Sequence, residues 1–220
     1  MAREFHAELQ DVVAEFNAVA GLVAATLNDV AAAPGQVGPG QLSAVNSMVG
    51  EVQDRLRALE DRVHVLVALQ APVGSDLRRL VAILRLLANI ERSSRHTRHV
   101  IDSCQAIDVD LLPDDIHSLL VELGTLSTAV FERGLKAWVD GDALAAVELD
   151  GPEQEVDTLQ VRLLEAASHS DQVHGEIRLA LGLTARHYER IADYGLALAR
   201  DAAFVVTGQR LPAAPSSPGA

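Results

Sequence analysis

Four acidic side chains in the second half of the chain have a spacing that can bind a cation. Glu153 and Asp157 are four residues apart, and so are Glu189 and Asp193. Residues i and i+4 project from one face of a helix, so each pair would present its carboxylates together. Two such helices side by side would form an oxygen-rich site, which Mg²⁺, Mn²⁺ or Ca²⁺ would accept.

The same acids have a simpler interpretation as members of surface ion pairs. Arg186 precedes Glu189 by three residues, and Arg190 precedes Asp193 by three. Side chains three apart on a helix are neighbours, so each arginine can neutralise the acid that follows it. A metal site and a pair of solvated ion pairs therefore remain alternatives at this stage.

The acidic stretch of residues 187–194 has a weaker copy earlier in the chain, at residues 89–96. Glu91 and Glu189 lie 98 positions apart, each inside a long run of helix-forming residues. A duplicated helical unit explains this interval, so the sequence predicts a tandem repeat whose halves have diverged unequally.

The first copy carries Arg95 where the second carries Asp193, and two histidines follow that arginine. His96 and His99 with Glu91 could form a nitrogen-containing metal site, but Arg95 intervenes, so we expect a solvated or core-capping role for His96. Three arginines spaced by three are interpreted either as a replacement for a bound cation or as a solvated basic stripe. They are Arg92, Arg95 and Arg98.

Apolar residues recur every three or four positions in six segments, which predicts helices. The clearest seam lies in the second segment, at Leu42, Val45, Val49, Val52, Leu56, Leu59, Val63 and Leu66. Glycine and proline separate the segments at residues 34–40, 72–74 and 112–113, and a local irregularity is expected at Gly151 and Pro152. The predicted helices cover 5–30, 42–69, 75–104, 116–138, 153–167 and 171–206, with a short helical stretch at 143–149.

These segments predict an all-α protein of two tandem, pseudo-symmetric antiparallel three-helix bundles. The predicted domains are residues 1–108 and 109–208, followed by a disordered tail at 209–220. Only 3% of the residues are aromatic, so the core should be aliphatic.

Charge and cysteine content exclude several classes of protein. The net charge of -13 repels nucleic acids and anionic membranes. Cys104 is the single cysteine, which fits a reducing compartment and has no motif marking it as a nucleophile. The sequence shows no signal peptide, no membrane-spanning run and no glycine-rich phosphate loop. We expect a cytoplasmic, non-enzymatic protein without nucleic-acid binding or direct membrane insertion.

Several short stretches in order resemble the PhoU family of phosphate-signalling accessory proteins. Residues 5–9 look like its N-terminal motif, residues 68–78 its linker before the third helix, residues 188–193 its C-terminal signature and residues 206–208 its usual ending. These stretches are spread along almost the whole length of the chain. The resemblance implies twin three-helix bundles, with metal-binding carboxylates in each.

Carried over by resemblance, the family's acidic motifs match this chain unequally. In the second half the matching residues are Glu153, Asp157, Glu189 and Asp193. In the first half the positions hold Val49, Gln53, Glu91 and Arg95, so one acid of four remains. The resemblance suggests iron or zinc as the metal, and oxygen ligands leave magnesium and manganese open. We expect any metal in the second half only.

The resemblance further implies a negative regulator of phosphate uptake and of the phosphate-starvation response. Such a protein would link the ATPase subunit of a phosphate ABC transporter to a sensor histidine kinase by protein contacts; a homodimer is left open. The alternative is a divergent scaffold for another partner, such as an accessory to an ion-coupled phosphate permease, or a storage or assembly role.

Overall fold

A computed structural model describes residues 2–32, 38–105, 107 and 109–211 of the protein. These residues contain no β-strand, which confirms the all-α prediction. Most of the predicted first turn and most of the predicted tail lie outside the described residues. The elements are α1 (Ala2–Ala31), α2 (Pro39–Gln70), α3 (Gly74–Gln105), a 3₁₀ turn (Val109–Leu111), α4 (Asp114–Asp140), α5 (Ala145–His169) and α6 (Gly175–Thr207).

The apolar seam of α2 faces the core, as its spacing predicts. Leu42 and Val49 are partly buried and pack against the core. Full burial of one such side chain stabilises the fold by about 1.5–3 kcal/mol, so the seam fixes which face of α2 turns inward. The fully buried members are Val45, Val52, Leu56, Leu59, Val63 and Leu66.

Each half of the chain forms a three-helix bundle. Helices α1, α2 and α3 contact one another, and so do α4, α5 and α6. The bundles meet through equivalent helices, α3 against α6 and α1 against α4, as a pseudo-twofold relation requires. The predicted architecture is confirmed, whereas the division into domains at residues 1–108 and 109–208 stays a prediction.

Helices α4 and α6 approach each other closely where two glycines meet. A Cβ atom on Gly134 would lie 1.9 Å from the carbonyl oxygen of Gly195, and a Cβ on Gly195 would lie 2.5 Å from the Cα of Phe131. Both distances are far shorter than any van der Waals contact, so only glycine permits this crossing. The crossing fixes the segment of α6 that carries Glu189 and Asp193.

The sequence predicts a break between two helical segments at Gly151 and Pro152, and this prediction is wrong. Both residues lie inside α5, which runs unbroken from Ala145 to His169. The proline removes one backbone donor, but Leu149 before it and Val156 after it are both buried. These two are seven residues apart and share a helix face, so packing against α4 and α6 keeps the helix continuous.

Three helices begin a few residues from their predicted starts. Helix α3 begins at Gly74, and the predicted start is residue 75. Helix α4 begins at Asp114, directly after Pro113, and the predicted start is residue 116. Helix α6 begins at Gly175 rather than near Asp171.

Helix α6 is the longest element and connects every part of the second half. It contains 33 residues, which at 1.5 Å per residue is about 50 Å. It contacts α3, α4 and α5, so it can hold side chains in register with all three. No helix within the described ranges is long and apolar enough to cross a membrane.

Candidate functional site

The four acids predicted from spacing act on one another across the α5–α6 contact. Glu153 and Asp157 lie on α5, Glu189 and Asp193 on α6, and the two helices pack directly. Burial, and after it repulsion from neighbouring carboxylates that include Asp193, raises the pKa of Glu153, Asp157 and Glu189. The structure therefore joins the two i, i+4 pairs into a single electrostatic cluster.

Glu153 has a pKa well above that of a free glutamate. Burial raises its pKa to about 7, with further contributions from the charges of Asp157 and Asp193 and from a hydrogen bond with Asp193. In that hydrogen bond the protonated Glu153 donates to the Asp193 carboxylate. A proton on Glu153 lowers the repulsion within the cluster.

Glu189 is the most buried acid of the cluster. Its residue is 8% exposed, and burial followed by repulsion from Asp193 raises its pKa to about 7. Arg186 places Nη1 2.9 Å from its Oε2. This contact lacks hydrogen-bond geometry, and Oε2 is a buried oxygen without a hydrogen bond.

Both intrahelical ion pairs considered from the sequence are present. Arg186 pairs with Glu189, and Arg190 donates from Nη1 to Oδ2 of Asp193 at 2.6 Å. The arginines neutralise part of the charge on α6, but they leave Glu153 and Asp157 on α5 without an arginine partner at this distance. The cluster is therefore only partly compensated.

The four carboxylates are the right kind of ligand for a hard cation, but they are not arranged around a common point. Four carboxylates, a buried Glu189 oxygen without a hydrogen bond and displaceable protons on two glutamates are features that a divalent cation would relieve. In the described part of the chain, however, no three or more His, Cys, Asp or Glu side chains are arranged to hold a metal ion. Metal binding at Glu153, Asp157, Glu189 and Asp193 stays a prediction.

The first half has an ion pair at the equivalent place. Arg95 hydrogen-bonds to Glu91 on the same helix, with side chains 50% and 33% exposed. Val49 and Gln53, on α2, are partly buried and uncharged. Arg95 thus places a positive charge beside Glu91 in the first half.

The other two arginines of the predicted basic stripe differ in their contacts. Arg98 contacts Asp102 at 3.3 Å, whereas Arg92 is exposed and has no ion pair among the described residues. The stripe therefore carries net positive charge on the outer face of α3.

A model of a known protein family matches part of the chain. Residues 19–104 match the family model for the PhoU domain. The chain is 27% identical over 161 residues to phosphate-specific transport system accessory protein PhoU homolog 1 of Mycobacterium leprae, covering 72% of both chains. It is 28% identical over 152 residues to PhoU homolog 2 of Mycobacterium tuberculosis, covering 68% of this chain and 71% of the relative.

Two solved PhoU structures share the fold. PhoU from Streptococcus pneumoniae superposes with a TM-score of 0.84 at 20% identity, covering 95% of this chain and all of that one. PhoU from Pseudomonas aeruginosa gives a TM-score of 0.84 at 22% identity, covering 93% and 100%. The two-bundle PhoU fold therefore extends through both halves, beyond the segment that the family model matches.

The structure also contains an imidazole cluster that the sequence analysis missed in part. His96 lies partly buried against α6, as the core-capping interpretation expected, and its Nδ1 lies 2.9 Å from Nδ1 of His187. The sequence analysis did not single out His187, because the equivalent position of the first half holds Asn89 rather than a histidine. The helical repeat gave no signal that α3 and α6 would bring these two rings together.

Proposed function

We propose that this chain is an accessory and regulatory protein of phosphate transport. The observation that carries the proposal is the PhoU fold, which extends over 95% of the chain in one comparison and contains a matched PhoU domain. Relatives that cover about 70% of the chain are named as accessory proteins of the phosphate-specific transport system.

We further infer that the protein represses phosphate uptake and the phosphate-starvation response without catalysing a reaction. It would act in the cytoplasm by docking on the ATPase subunit of the phosphate ABC transporter and on a sensor histidine kinase. The long helices support this proposal, because they present extended rigid faces suited to protein contacts. A homodimer is compatible with the same faces.

A bound cation is part of the proposal for the second half. Glu153, Asp157, Glu189 and Asp193 would hold it, with iron or zinc favoured by family resemblance and magnesium or manganese also suited to oxygen ligands. The cation would supply positive charge between α5 and α6. The protein's own contribution is to bury Glu189 and to hold the two carboxylate pairs on facing helices.

Deletion and complementation test the regulatory role. Deleting the gene should raise expression of phosphate-uptake genes in phosphate-rich medium, and the intact chain should restore repression. Affinity purification from phosphate-replete and phosphate-starved cells should recover the transporter ATPase subunit or a histidine kinase. Unchanged expression together with recovery of neither component would refute the proposal.

The divergent-scaffold alternative is favoured by one feature, the Arg95–Glu91 pair in the first half. If that change reflects a different task, the purified partner would be an ion-coupled phosphate permease or an unrelated assembly. The same purification therefore separates the two functions.

A further inference from the structure

Three histidines and a tyrosine gather where α3 meets α6, between the two bundles. The His99 ring stacks on His187 with centroids 5.1 Å apart, and the His96 ring lies 5.1 Å from His187. Tyr194 stacks on the other side of His96, at 5.9 Å. The cluster therefore contains three imidazoles contributed by two helices.

The two inner imidazoles face each other through the same nitrogen atom. Nδ1 of His96 and Nδ1 of His187 are 2.9 Å apart, a distance at which one ring donates its N–H to the lone pair of the other. To bind one metal ion together, the two rings would have to break this hydrogen bond and rotate until both lone pairs face the ion.

We propose that His96 and His187 bind a divalent transition-metal ion of tetragonal preference, Ni²⁺ or Cu²⁺, on the α3–α6 seam. Imidazole nitrogen is a preferred ligand of both ions, and both favour coordination at right angles. The proposed site is separate from the predicted carboxylate cluster and uses a different class of donor.

His99 occupies the solvent side of the cluster. Its side chain is 53% exposed, and its Nδ1 lies 3.8 Å from a carboxylate oxygen of Asp102. Because the three imidazoles do not converge as they stand, His96 and His187 form the core of the site and water fills the remaining positions. His99 stacks on His187 and would add at most a weaker third ligand.

Calorimetric titration of the untagged full-length protein with Ni²⁺ at pH 7.5 tests the proposal. One Ni²⁺ should bind per chain, and either His96→Gln or His187→Gln should weaken binding by at least about tenfold. His99→Gln should weaken it less. Electron paramagnetic resonance of bound Cu²⁺ should show hyperfine coupling to two or three imidazole nitrogens, which is lost in His187→Gln.

Two control variants separate this site from others on the chain. His117→Gln removes an exposed imidazole of α4 and should leave Ni²⁺ binding unchanged. Glu153→Gln with Asp157→Asn should also leave it unchanged, because those acids lie on α5 and belong to the carboxylate cluster.

Absence of Ni²⁺ binding, or binding unaltered in His187→Gln, would overturn the proposal, since unaltered binding means an adventitious surface histidine. Circular dichroism confirms that each variant is folded. If a glutamine variant loses its helical signal, the same titration with His96→Asn and His187→Asn gives the decision.

Discussion

His96 and Tyr194 are equivalent residues of the two repeats, and their rings stack on each other. They are 98 positions apart, the same interval as Glu91 and Glu189, and their centroids are 5.9 Å apart with an interplanar angle of 28°. Residues exchanged by a twofold operation can touch only beside its axis. The pseudo-twofold axis therefore passes through the α3–α6 contact at these two rings.

The divergence of the two repeats is concentrated beside this axis. Arg95 precedes His96 and binds Glu91, whereas Asp193 precedes Tyr194 and binds Arg190. The exchange of an acid for an arginine next to the axis places net positive charge on one side and a carboxylate cluster on the other. The two bundles keep one backbone plan, and the residue next to the axis differs in charge between them, Arg95 in the first and Asp193 in the second.

Replacing Gly195 with alanine should destabilise the protein strongly. The new Cβ would lie 2.5 Å from the Cα of Phe131 and 2.7 Å from the carbonyl oxygen of Val130, so α4 and α6 would have to separate. We expect a loss of at least about 3 kcal/mol in the free energy of unfolding, measured by urea denaturation.

The matched control for this substitution is Gly50→Ala in α2. Nothing lies within 4 Å of a Cβ built on Gly50, and the residue is helical and exposed. Alanine there should stabilise the protein by about 0.5–1 kcal/mol. Equal effects of the two substitutions would show that the glycine crossing does not determine helix packing.

Replacing Arg85 with methionine should leave a buried carboxylate without a partner. Arg85 pairs with Asp201, which is 5% exposed, and joins α3 to α6. Loss of one member of a buried pair costs about 3–5 kcal/mol, and the 38% exposure of the Arg85 side chain reduces our expectation to about 2–3 kcal/mol. Thermal or urea unfolding measures the change.

Two further variants test the cause of that loss. Asp201→Asn added to Arg85→Met should restore part of the stability, because no buried charge then remains. Arg57→Met removes an exposed partner of Asp54 and should change stability by less than about 1 kcal/mol. A double variant no more stable than Arg85→Met would show that the arginine acts by packing alone.

The sequence predicts the architecture better than it predicts the contacts between helices. The seam of α2 can be read from the sequence because its apolar residues recur with the period of a single helix. The continuity of α5 through Pro152 depends on packing against two other helices. Local sequence rules do not include such contacts. Likewise, the spacing of Glu189 and Asp193 reveals one helix face, but the contact of His96 with His187 joins residues 91 positions apart on two helices.

Substitution of Glu189 by glutamine should make the protein more stable at pH 8. The pKa of Glu189 is raised from 4.5 to about 7 on folding, so the folded state holds more protons than the unfolded state between these values. Stability contributed by this group therefore falls as pH rises through that window, and the penalty is complete above about pH 7. Glu189→Gln should gain about 1–3 kcal/mol at pH 8 and close to none at pH 4.5.

The matched control for Glu189→Gln is Glu91→Gln, which tests whether burial causes the change in stability. Glu91 is the equivalent carboxylate of the first half and forms a partly exposed pair with Arg95. Its substitution should change the free energy of unfolding by less than about 1 kcal/mol. A pH profile of Glu189→Gln parallel to that of the unaltered protein would contradict the proposed origin of the penalty.

Any metal bound by carboxylates should belong to the second half alone. Glu153, Asp157, Glu189 and Asp193 provide carboxylate oxygens from two packed helices, and a cation would remove their repulsion and displace the protons held on the two glutamates. In the first half, Arg95 already provides positive charge beside Glu91, and a cation placed there would be repelled.

Elemental analysis of protein purified without chelators checks this assignment. Metal should be present in the unaltered chain, disappear in the double variant Glu189→Ala with Asp193→Ala, and persist in Glu91→Ala. Metal retained in the double variant would place the ion elsewhere. A metal-free unaltered protein would show that Arg186 and Arg190 are sufficient to compensate the cluster, because both already pair with its α6 acids at 2.9 Å and 2.6 Å.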